Sequence, residues 1–157
     1  MPLFRKRLLS KDLNLSDGEI QLIAIRSSSK QYSFRIYLRE TGELAGYCDL
    51  RIGHSESLYY YGNIGYRIIP EYRGHHYAYK ACLLLFKVAE KLKIDYLLIT
   101  ASPENTPSVK TCERLGGELL ETVDVPSWHP LYSMNERVKK VYRYNICAAD
   151  QALGRAL

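Results

Sequence analysis

Residues 64–92, IGYRIIPEYRGHHYAYKACLLLFKVAEKL, constrain this chain more than any other stretch. An apolar strand runs into Pro70, which has no N–H to give to a ladder, and a short Arg-Gly loop precedes a helix expected to start near His76 or Tyr77. Apolar Ala78, Ala81, Cys82, Leu85, Val88, Ala89 and Leu92 recur at three- and four-residue steps, the pattern of a helix with one buried face. Lys80, Lys87, Glu90 and Lys91 take the polar side. The first N–H groups of such a helix have no partner within it, and the macrodipole adds partial positive charge, so a phosphate is favoured at that corner. Arg73 can add a forked, charged contact.

The loop has neither the Gly-Lys-Ser/Thr ending of a P-loop nor the three spaced glycines of a dinucleotide fold, so the pyrophosphate belongs to another kind of ligand. Arg73-Gly74-His75-His76-Tyr77-Ala78 resembles the Arg/Gln-x-x-Gly-x-Gly/Ala loop of the GNAT superfamily of acetyl-CoA-dependent N-acetyltransferases. Further on, residues 94–101 read as a buried strand, and Pro103-Glu104-Asn105-Thr106-Pro107-Ser108 leads into a helix ending at Leu115-Gly116-Gly117. That second segment is similar to the superfamily's Asn-x-x-Ser helix and its Leu-Gly ending. The two occur in family order, and the likeness covers residues 41–125.

The resemblance implies an α+β (α/β) fold: a mixed, mostly antiparallel central sheet of about seven strands with helices packed on both faces. It implies acetyl-CoA as co-substrate and transfer of the acetyl group to a primary amine by direct attack in a ternary complex, without an acyl-enzyme. Carried over position by position, it places the cofactor against Ile68 and Ile69, Arg73, Gly74, His75, His76, Tyr77 and Ala78, and Asn105, Ser108 and Cys112. A backbone N–H near Ile68 would hold the developing oxyanion. His76 stands where the family has a glycine, and a left-handed conformation there would cost about 1–2 kcal/mol.

Catalysis needs a free amine, and an amine of pKa near 10.4 is protonated at neutral pH. Where family members place a basic Glu on the fourth strand, this chain has Asn63, which cannot take a proton; where many carry a proton-returning Tyr, it has Cys112. The candidates for the missing groups are Asp49, His54, Glu56 and Cys112, with His129 in Ser127-Trp128-His129-Pro130 as a further neighbour. For each the competing reading is structural, and for Cys112 it is a packed core thiol. These two departures support an alternative: a catalytically weakened coenzyme A-binding sensor or interaction module.

At 157 residues the chain is the size of one domain, spanning 1–157, with residues 1–18 and 148–157 as flanking segments. No run of eighteen apolar residues occurs and the N-terminus lacks a signal-peptide core, so a cytoplasmic protein without a membrane partner is expected. Cys48, Cys82, Cys112 and Cys147 are widely spaced, which reads as reduced thiols and no metal site. A net charge of +5 spread over several segments reads as a solvated surface, against a basic protein that docks on RNA. The acceptor is a small-molecule amine (polyamine, amino sugar, amino acid) or a protein N-terminus, and the chain a monomer or homodimer.

Strands are expected at residues 19–25, 32–39, 44–52 and 59–69 before the main helix, with a hairpin at Thr41-Gly42-Glu43. Strands at 119–125 and 137–147 close the fold, joined by a loop over 126–135. Residues 3–17 supply a short helix or an extra strand. Only residues 26–31 separate the first two strands, where the family commonly has two helices that shape the acceptor site, so an open or partner-built acceptor pocket is expected.

Overall fold

The computed structural model describes residues 13–147, so the basic run Arg5-Lys6-Arg7, most of the segment 3–17 and the tail 148–157 lie outside the described residues. Five strands form one sheet in the order β1-β2-β3-β4-β5: β1 (Leu15–Ser16), β2 (Ile20–Ser27), β3 (Gln31–Leu38), β4 (Leu44–Arg51) and β5 (Ile64–Ile68). Three more, β6 (Tyr96–Ala101), β7 (Glu118–Asp124) and β8 (Val138–Asn145), form a second in the order β6-β8-β7. Every ladder in both is antiparallel. The mixed α+β architecture expected from the sequence is therefore present, with its strands divided five and three.

Period-two alternation sets the first sheet's faces. Ile20 and Leu22 on β2, Tyr32, Phe34 and Ile36 on β3, and Cys48 and Leu50 on β4 are buried, while Ile23, Arg35 and Tyr47 between them are exposed. Helix α2 (Tyr77–Lys91) lays its buried stripe of Ala81, Cys82, Leu84, Leu85, Val88 and Ala89 into that core. Helix α3 (Thr106–Arg114) adds Cys112, and β6 adds Leu97, Ile99 and Ala101. Among the described residues no helix is long and apolar enough to cross a membrane.

Two expectations are corrected. The strand read over 59–69 begins only at Ile64, because residues Glu56–Tyr61 form a short helix, α1. Tyr59-Tyr60-Tyr61 have strand propensity, but the Ser55 hydroxyl caps the helix by accepting from the Leu58 N–H (3.1 Å), and Gly62 ends it at φ 78°, ψ 163°. That backbone is open only to glycine, and a Cβ there would lie 3.1 Å from the Thr100 nitrogen. The loop read over 126–135 likewise contains a turn of helix, α4 (Pro130–Ser133), with Pro130 at its first position. Thr100 Oγ1 donates to the Tyr60 carbonyl (2.8 Å), which puts α1 on the face of β6 opposite Leu97 and Ile99.

Candidate active site

β5 leads into a 3₁₀ turn over Pro70–Tyr72 and then a tight loop in which Gly74 has φ 89° and His76 φ 61°, ψ 26°. The left-handed turn at His76 redirects the backbone into α2. For a residue with a Cβ that conformation costs about 1–2 kcal/mol, the strain anticipated at this position. The Lys80 N–H donates to the His76 carbonyl (3.0 Å), closing the first turn. Amides ahead of it have no partner within the helix, as at any helix start.

This corner forms one side of a cleft of about 850 Å³. Tyr66, Arg67 and Ile68 of β5 form its floor, the loop and the start of α2 one wall, and residues 105–108 with Lys110, Thr111 and Arg114 the other. Four lining residues are cationic, Arg67, Arg73, Lys110 and Arg114, and none is acidic. Arg73 Nε donates to the Ile68 carbonyl (3.1 Å). Arg114 lies 3.0–3.1 Å from both ring nitrogens of His76 and stacks over Tyr79 at 5.0 Å, joining the end of α3 to the start of α2. Clustered cations beside unpartnered helix amides suit a ligand carrying several phosphate charges.

The cleft exists because β5 and β6 separate, and Asn63 marks where they meet. Its N–H donates to the Leu98 carbonyl (2.7 Å), and its side-chain oxygen accepts from the Leu98 N–H (2.9 Å). Its amide nitrogen donates to the carbonyls of Arg51 (3.0 Å) and Gly53 (2.7 Å). The side chain is buried with oxygen and nitrogen both engaged, so it acts as a tie between strands. Past it β5 stays paired with β4 alone. The Ile69 N–H donates to the Ala45 carbonyl (2.8 Å), so strand alternation turns the Ile68 N–H towards the gap. Gly46 permits this close pairing, since a Cβ there would sit 2.3 Å from the Arg67 carbonyl oxygen.

Of the residues singled out for the cofactor, Ile68, Arg73, Gly74, His76, Tyr77, Ala78, Asn105 and Ser108 line this cleft. Ile69, His75 and Cys112 are not among its walls; His75 is exposed and stacks on Tyr77 at 5.3 Å. Asn105 also caps α3, its side chain accepting from the Ser108 N–H (3.3 Å). Cys112 is fully buried in the core, and burial pushes its thiol up to about 11. The sequence reading missed Arg67, Lys110 and Arg114. Their signal was present in the i, i+4 spacing of the two α3 cations, but only the fold turns that face to the loop.

The other catalytic candidates lie elsewhere. Asp49 is half-buried on β4, in register with Gly65 of β5 and 3.9 Å from Arg51. His54 and Glu56, both exposed, line a separate cavity of about 240 Å³ with Tyr59, Tyr60, Asn63 and Tyr96, and His54 stacks on Tyr96 at 4.0 Å. That cavity shares no lining residue with the cleft. His129 is buried: Nδ1 accepts from the Leu131 N–H (3.2 Å), so the Nε2 proton goes to the Ser57 carbonyl (3.0 Å), tying α4 to α1. Among the described residues no cluster of three or more His, Cys, Asp or Glu could hold a metal ion.

Several solved structures share this fold. A GNAT-family acetyltransferase from Bacillus anthracis is 23% identical, over 72% of this chain and 65% of its own, with a TM-score of 0.58. The microcin C7 self-immunity acetyltransferase, solved with acetyl-CoA and AMP, is 20% identical over 74% of this chain and 62% of its own (TM-score 0.59). A ribosomal L7/L12 alpha-N-protein acetyltransferase is 14% identical over 85% and 97% (TM-score 0.63). The chain thus spans just under two thirds of the first two proteins, and at these identities the likeness is one of fold. No curated protein matches the chain in sequence. The family model of the acetyltransferase (GNAT) domain matches residues 6–118, across β1 to β6, the loop and both cleft-lining helices, and the chain belongs to that family.

Proposed function

We propose that this chain is an acetyl-CoA-dependent N-acetyltransferase that transfers the acetyl group to a primary amine by direct attack within a ternary complex. The observation that carries this reading is the cleft at the β5/β6 divergence, floored by a strand with one unpaired edge and ringed by four cations with no carboxylate. Arg73 and the α2 amides would bind the pyrophosphate, Lys110 and Arg114 further phosphate charge, and β5 the pantetheine arm as an added strand. The Ile68 N–H, turned to the gap, would polarise the thioester carbonyl and hold the oxyanion.

The nucleophile is a neutral amine, and exposing its lone pair at neutral pH costs about 4–5 kcal/mol without a base. Asn63 cannot serve, because a carboxamide is not a base at neutral pH and its oxygen accepts from the Leu98 N–H. Asp49 is our choice of base, since its strand adjoins β5 and it stands in register with Gly65, over which the guanidinium of its neighbour Arg51 lies. His54 and Glu56 belong to the separate cavity. Holding amine and thioester together supplies most of the acceleration, and a general base adds about 10²–10⁴-fold. The expected setting is cytoplasmic, as monomer or homodimer, with a small-molecule or protein amine as acceptor and no specific nucleic acid.

A second reading, a coenzyme A-binding sensor or interaction module, draws on Asn63 and Cys112, which are both immobilised in structural roles. Release of coenzyme A thiol during incubation with acetyl-CoA and an amine panel decides between them. Sustained release above the amine-free rate supports the enzyme; calorimetric binding of coenzyme A without release by any amine supports the sensor.

A further inference from the structure

Cys112, the position at which the resemblance puts a proton donor, is buried and absent from the cleft wall, so the departing sulfur needs another partner. Along β5 the wall runs back from the phosphate loop through Ile68 and Arg67 and ends at Tyr66. Three residues further back the strand is tied to β6 at Asn63. A ligand anchored by its phosphates at α2 and laid along β5, with its carbonyl at the Ile68 N–H, therefore has its thioester beside the Tyr66 side chain, which stands on the same strand face two positions back. The Tyr66 hydroxyl crosses the cleft to the Ser108 Oγ (2.8 Å), at the start of α3. A phenol accepts one hydrogen bond while donating another, so with Ser108 donating to it, Tyr66 can direct its own proton at a third atom.

We propose that Tyr66 donates a hydrogen bond to the sulfur of coenzyme A and holds the thiolate as it departs, with Ser108 as the residue that positions it. This rests on the coenzyme A reading above. As the amine nitrogen bonds to the acetyl carbon, the C–S bond breaks and its electron pair passes to sulfur. The surplus proton on nitrogen leaves to the base, and the thiolate afterwards takes a proton from solvent. Tyr66 keeps its proton throughout, because burial holds its phenol well above the ordinary tyrosine range. Passing that proton to a thiolate, whose conjugate acid has a pKa near 8.5, would run uphill. Its contribution is a charge-assisted hydrogen bond, not acid catalysis.

The groups facing the hydroxyl are Ser108 and Thr111 on α3 and the thiols of Cys82 on α2 and Cys112, both held neutral by burial. The cleft cations are common to wild type and variants, so the difference between them isolates Tyr66. The test is to titrate the thiol of coenzyme A bound to the protein by its thiolate ultraviolet absorbance. Tyr66→Phe keeps the ring that packs the cleft. Its expected effect is an acid constant for the bound thiol about tenfold or more below that of wild type, with coenzyme A affinity within about twofold. Ser108→Ala shifts the constant the same way by less, and kcat follows the same order where an amine is turned over. Coinciding thiol titrations in wild type and Tyr66→Phe would overturn the proposal while leaving the acetyltransferase reading intact. Failure of wild type to bind coenzyme A would overturn that reading, and this inference with it.

Discussion

Where β5 starts, Asn63 locks it to β6, to the end of β4 and to Gly53 through five hydrogen bonds of 2.6–3.0 Å, with its side-chain oxygen and nitrogen both engaged. Where β5 ends, the chain enters a loop with left-handed backbone at His76, unpartnered helix amides and clustered cations beside a cleft. The first region gains stability by satisfying its polar groups. The second is strained and positively charged, which costs stability. The same strand thus carries a pin at one end and an open cationic corner at the other, and the amide that fills a family base position belongs to the pin.

That contrast can be broken most forcefully at the pin. Asn63→Ala leaves the Leu98 N–H and the Gly53 and Arg51 carbonyls short of partners, and should cost about 3 kcal/mol or more of unfolding free energy by urea denaturation. If it is only a pin, the shape of the pH–rate profile of the surviving enzyme will not change; a missing basic limb would show that Asn63 takes part in chemistry.

Next in size is alkaline stability. The Cys112 thiol is raised from 9.0 to about 11, and those of Cys82 and the Tyr144 phenol are raised too, so the folded state favours their protonated forms. That stabilisation is complete below pH 9 and is lost as pH climbs through the folded-state value, on the order of 2 kcal/mol by pH 11 from Cys112 alone. Denaturation curves across this window that do not move would mean the interior beneath α3 is wetter than its burial implies.

At the cationic corner, Arg73→Ala should weaken acetyl-CoA binding about tenfold by calorimetry, with little change in urea midpoint because Arg73 is exposed. An unaltered dissociation constant would remove the phosphate assignment. Smallest is His76→Gly: relief of left-handed strain, less glycine's larger unfolded-state entropy, leaves a stability gain of about 0.5–1 kcal/mol. A loss instead would show that the His76–Arg114 contact outweighs the strain.

The β5–α2 corner was legible as backbone because it is local. Strand, proline, Arg-Gly loop and amphipathic helix lie consecutively, and the predicted start at His76 or Tyr77 agrees with the observed α2. Pro103 to Ser108 announced α3 in the same way, through cap and proline. The pin was not legible, since the partners of Asn63 lie ten to thirty-five residues away and no pattern ties them together. α1 was misread for a related reason: three consecutive tyrosines look like strand until Ser55 and Gly62 fix the ends. Lys110 and Arg114 were visible as cations but not as neighbours of Arg73, because that adjacency is made by α3 packing beside α2.

Between β2 and β3 the chain turns around in three residues, Ser28 to Lys30, with the Ser28 hydroxyl accepting from the Lys30 and Gln31 N–H groups. Lengthening such a connection is cheap, since each doubling of loop length costs only about 0.6 kcal/mol. This bend is therefore a natural graft point for an engineer: a helical hairpin could be inserted there without touching the β5–α2 corner.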